Sequence, residues 1–76
     1  MSMQQQMVEY MIQDMVKLIT ESKKIEYDEA MKILYSSEVY DKIVDIETGL
    51  YRESPYYVYD LFENELNNLG LARYYD

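Results

Sequence analysis

The chain has 76 residues, no cysteine, no histidine and a formal charge of −8. That length makes one domain with a thin stability margin and no disulfide to widen it, and it leaves no Cys/His metal centre. The 7 basic residues are spread out, so phosphate backbones and anionic membranes are disfavoured as partners. The opening "MSMQQQMVEYM" has neither the basic lead nor the apolar run of a signal peptide. No segment approaches the roughly 18–20 apolar residues of a membrane span. The expected setting is cytoplasmic.

A first helix is predicted from about Met3 to Ser22. Met7, Val8, Met11, Ile12, Met15, Leu18 and Ile19 recur at spacings of three and four and form one apolar stripe, with Gln6, Glu9, Gln13, Lys17 and Glu21 opposite. Met3, Met7, Met11 and Met15 also lie four apart, as a ridge suited to core packing or to an adaptable binding face. A short second helix covers about Tyr27 to Tyr35, with Ile25 as a staple before it and Asp28 and Glu29 in its first turn. Its inward residues are Ala30, Met31, Ile33 and Leu34.

"SSEVYDKIVDIETG" supplies a third helix with Ser37 as N-cap and Val39, Tyr40, Ile43 and Val44 on its apolar side; Gly49 ends the region as a turn or C-cap glycine. "LYRES" reads as a connector. Ser54-Pro55 then begins a fourth helix, because proline's missing N–H would lack a partner in a first turn anyway. That helix runs to Leu69, with Gly70 at C′ and "LARYYD" as a tail. Val58, Leu61, Phe62, Leu66 and Leu69 share one side, flanked by Tyr57 and Tyr59, while Tyr56 points outward. Glu65 falls inside this stripe. Either it reaches solvent there, or it is paired with Lys, Arg or a tyrosine hydroxyl, since a lone buried carboxylate is costly.

Sites for chemistry are not found. The two glycines stand far apart and make no phosphate loop. Nucleophile–His arrangements are impossible without histidine, and the serines lack a nucleophile-elbow context. Carboxylate pairs such as Asp41/Asp45 and Glu26/Glu29 are what chance gives among 15 acids. "DIETG", with Asp45 and Glu47, is too short for an EF-hand loop. Helices two and three have the length of a helix-turn-helix, but the recognition helix would offer the DNA Glu38, Asp41, Lys42 and Asp45, a set whose charge opposes docking.

The segments "MVEYMIQDMVKLI", "YDEAMKILYSSEVYDKI" and "ETGLYRESPYYVYDLFENEL" together resemble a family of short, acidic bacterial proteins of unknown function, over about residues 7–69. The resemblance implies a compact helical fold and a cytoplasmic setting, and it carries no catalytic residues to transfer. Some members of similar families are encoded beside toxin-like enzymes, an association that suits a small acidic binding partner.

The expectation is therefore an all-α domain spanning 1–76, core about 7–69 and tail 70–76. Helices one and four are its long pair, with two and three a hairpin between them. The expected function is a non-enzymatic interaction module or homodimer, needing no cofactor or metal and binding protein or itself rather than nucleic acid or membrane. The alternative is an antitoxin-like regulator neutralising a basic partner. The candidate surface is the side bearing Tyr51, Arg52, Tyr56, Tyr57 and Tyr59, with Glu65 as a further interaction residue.

Overall fold

Three of the four described α-helices start where a side chain supplies an acceptor for their free N–H groups, and the second has no side-chain cap. A computed structural model describes residues 2–69, so the predicted C′ role of Gly70 and the tail lie outside the described residues. α1 (Met3–Lys23) opens with a capping box. Ser2 Oγ accepts the Gln5 N–H and Gln5 Oε1 accepts the Ser2 N–H, each at 3.1 Å. α2 (Tyr27–Tyr35) carries Asp28 and Glu29 in its first turn, as expected. α3 (Glu38–Val44) is capped by Ser37, whose Oγ accepts the Tyr40 N–H at 3.0 Å and donates to the Leu34 carbonyl at 2.6 Å. α4 (Pro55–Leu69) begins at the Ser54-Pro55 pair, with Ser54 Oγ accepting the Tyr57 N–H at 3.1 Å. No strand occurs among the described residues.

α1 ends one residue later than expected, and without glycine. Lys24 takes the left-handed conformation (φ 55°) and its N–H reaches the Thr20 carbonyl at 2.9 Å. A second departure concerns residues 46–52, of which 46–48 belong to the segment read as the third helix, Gly49 to its turn or C-cap and 50–52 to the connector. They form two 3-10 turns, Ile46–Thr48 and Leu50–Arg52, joined at Gly49 with φ 69°, which suits a residue lacking Cβ. Thr48 Oγ1 donates to the Asp45 carbonyl at 2.9 Å and accepts the Leu50 N–H at 3.2 Å. This turn drives Leu50 and Tyr51 inward, so the connector is part of the core.

α1 packs against α2, α3, α4 and the second 3-10 turn. Its Val8, Met11, Met15, Val16 and Ile19 meet Ala30 and Leu34, Val39 and Ile43, Leu50 and Tyr51, and Val58, Phe62 and Leu66. Burying each of the larger side chains contributes about 1.5–3 kcal/mol. The radius of gyration, 11.9 Å, is close to the ~11 Å of a compact chain of this length.

The expected stripes and methionine ridge are buried over most of their length, with four exceptions. Met3, Met7, Val44 and Leu69 are exposed, Leu69 at the last described position. For the methionines the reason is angular. Residues four apart turn about 400°, so a ridge at that spacing drifts about 40° per step. Met3 and Met7 therefore stay on the flank of α1, whereas Met11 and Met15 have rotated into the core.

Candidate interaction surface

The six residues singled out in the sequence do not form one surface. Tyr51 is only 3% exposed, because the 3-10 turn points it against the core, and it is withdrawn from the surface. Arg52 remains outside and covers it, its guanidinium 5.3 Å from the ring centroid and its Nε donating to the Tyr51 hydroxyl at 3.1 Å. Tyr56 and Tyr57 are exposed, at 72% and 51%. Tyr59 is half-buried with its hydroxyl oxygen inside, and its ring lies 6.2 Å from that of Phe62.

Glu65 has a different use from either one expected. Its two carboxylate oxygens accept the Glu38 N–H at 2.8 Å and the Val39 N–H at 3.0 Å. With Ser37 on the Tyr40 N–H, the first three amides of α3 are all satisfied, two of them from another helix. The negative charge also sits at the positive end of that helix. Glu65 is thus a cap, placed in the stripe because α4 crosses the start of α3 there.

A buried ion pair went unforeseen. Lys23, one residue past the predicted end of the first helix, has its Nζ 2.8 Å from Glu63 Oε1, with the lysine side chain 1% exposed. Burial pushes the neighbouring Tyr59 hydroxyl above the usual phenol range. Ser22 and Lys23 act against that shift, and Glu63 adds to it. The signal for Lys23 was present: it stands four residues after Ile19, on the line of the buried stripe.

Two grooves run along opposite flanks of α1. On the first, Met7, Tyr10, Met11 and Asp14 face Tyr51, Arg52, Glu53 and Pro55. The groove continues through Asp14 and Pro55 to Lys17, Leu18, Glu21 and Tyr56. Met3, Tyr10 and Tyr56 are 75%, 56% and 72% exposed here or beside it. Its charges are Asp14, Glu21 and Glu53 against Lys17 and Arg52, close to balance in a chain of charge −8. On the second flank Val8 and Ile12 meet Val44 and Ile46, edged by Gln5 and Glu9. Among the described residues no basic one lines that groove, and Asp45 and Glu47 flank Ile46 in sequence.

Asp45 is itself engaged, its Oδ1 accepting the Glu47 N–H at 3.1 Å. Among the described residues no group of three or more acids is placed to hold a metal ion, and no helix is long and apolar enough to cross a membrane. Comparisons with protein-family models, curated proteins and solved structures return no match, so no relative assigns a role to any of these residues.

Proposed function

We propose that the protein is a non-enzymatic interaction module, cytoplasmic in setting, that meets its partners through the methionine–tyrosine flank of α1. The observation that carries this is the exposure of Met7, Tyr10 and Tyr56 along one groove, with Met3 exposed one turn before Met7 on the same helix. Exposed large apolar side chains gathered on one face, rather than scattered, mark interaction sites. Tyrosine and arginine are the residue types that most often carry interface energy, and Tyr10, Tyr56 and Arg52 stand together here. The arrangement we favour, with α1 and α4 as the long pair and α2–α3 as a hairpin between them, leaves this flank uncovered. Tyr57, which does not line the groove, is left outside the surface.

The test is the double variant Tyr10→Ala/Tyr56→Ala. It is expected to melt as the wild type does, because both side chains are exposed, and to lose complexes, self-association included, that the wild type forms. Retention of every complex at unchanged affinity by the folded variant would reject the surface.

A second reading is favoured by the other flank. The acid-edged aliphatic groove at Val44 and Ile46 suits a basic partner, as an antitoxin-like regulator would bind. Binding there should weaken steeply as ionic strength rises.

A further inference from the structure

Along the first flank of α1 the exposed residues are Met3, Met7, Tyr10, Asp14, Lys17 and Glu21. They are separated by four, three, four, three and four positions, the spacing of a coiled-coil seam. The series is also symmetric about position 12, so each member has a counterpart at equal distance from the middle. Pairing it with itself can run either way. Parallel pairing sets Asp14 on Asp14, Lys17 on Lys17 and Glu21 on Glu21, and like charges directly opposite are unfavourable. Antiparallel pairing sets every charged residue against Met3, Met7 or Tyr10.

We infer that the occupant of this flank is a second copy of the chain, its α1 antiparallel to the first, with Met3 against Glu21, Met7 against Lys17 and Tyr10 against Asp14. The inference rests on the interaction surface proposed above and names its partner. It gives each exposed group a suitable neighbour. The Tyr10 hydroxyl donates to the Asp14 carboxylate of the other copy, twice across the twofold axis. The aliphatic stem of Lys17 covers Met7 while its ammonium stays beside Asp14 and Glu21 of its own helix. Tyr56, which lines the groove with Lys17 and Glu21, comes over Met3 and Met7 of the other copy, a thioether–aromatic contact. Met3 and Tyr56, the two most exposed large apolar residues, thereby cover one another. Near-neutrality of the flank is what lets two chains of charge −8 approach here.

The absence of cysteine makes cross-linking decisive. The double variant Met7→Cys/Lys17→Cys should form a disulfide-linked dimer under mild oxidation about ten-fold faster than either single variant, because only antiparallel copies bring the two positions together. The two sites lie about 15 Å apart along one helix, too far to bridge within a chain. Rapid dimerisation of Met7→Cys alone would show parallel pairing and overturn the register. No cross-link in the double variant, together with a wild type that stays monomeric in light scattering, would overturn the second copy as occupant. Should Tyr10→Ala/Tyr56→Ala then still lose a complex with a different protein, the interaction surface stands and only its occupant is wrong. If it loses nothing, both fall.

Discussion

One helix, α1, presents two flanks to solvent, and the two differ in charge rather than in apolar content. Methionine and tyrosine on one side and valine and isoleucine on the other give each flank a comparable greasy floor. Around the first, acids and bases both stand; along the second, the charged residues among those described are acidic. Apolar floor gives a partner something to bury, while the rim decides which partner can come close. A self-balanced rim admits a copy of the same acidic chain, whereas an acidic rim repels it and selects a basic one. Four measurements bear on this difference between the flanks.

The largest effect is expected from the core that both flanks share. Phe62 is completely buried, and Phe62→Ala should cost about 3–5 kcal/mol, most of the stability of a domain this small. Thermal melting should show both flanks lost together; a variant that melts like wild type would mean α1 is not held by this core.

Next is Glu65→Ala, which strips two amides of α3 of their acceptor and should cost about 1–3 kcal/mol. Hydrogen exchange should rise at Glu38, Val39 and the groove lined by Val44, with the methionine–tyrosine flank unchanged. Glu65→Gln, which keeps an acceptor, should lose less. A gain in stability on removing Glu65 would refute the cap.

Third is salt. Raising ionic strength from about 0.05 to 0.5 M should leave self-association intact or strengthen it, by screening the residual −8 on each chain, while weakening binding of a basic peptide to the second flank. Equal responses on both flanks would erase the distinction drawn between their rims.

The smallest concerns Tyr59, which belongs to neither flank. Its raised folded pKa means the native state holds the phenol proton more tightly than the unfolded chain does. That contribution is fully present below the unfolded value near 10 and is lost as pH rises through the folded value. Tyr59→Phe should therefore show a shallower fall in melting temperature above about pH 10 than wild type. Identical slopes would remove the burial effect.

Much of this could be read from residue order because it is local. Ser37 and Ser54-Pro55 open helices through bonds to amides three residues on, a distance that sequence displays directly. Ala30, Leu34, Ile43, Val58 and Phe62 lie within helices, on the stripes that periodicity places inward. What sequence hid depends on crossings. Glu65 stood out as an acid in an apolar stripe, but its partners are the amides of Glu38 and Val39, and only the crossing of α4 over α3 reveals them. Lys23 needed Glu63 on another helix to make its burial tolerable. Tyr51 was placed outside because its segment looked like a connector, and a 3-10 turn closed by Thr48 and Gly49 turned it in. The flank of α1 was half visible: the four-residue methionine spacing was noticed, but its drift around the helix divides it between core and surface.

Mass measured by light scattering against concentration tests the pairing of copies most directly. Wild-type protein should rise from 9.2 kDa toward twice that value as concentration increases, in low and high salt alike, while folded Tyr10→Ala/Tyr56→Ala stays at the lower mass. A wild type that holds 9.2 kDa at every concentration, or a variant that dimerises as well as it does, would contradict the account.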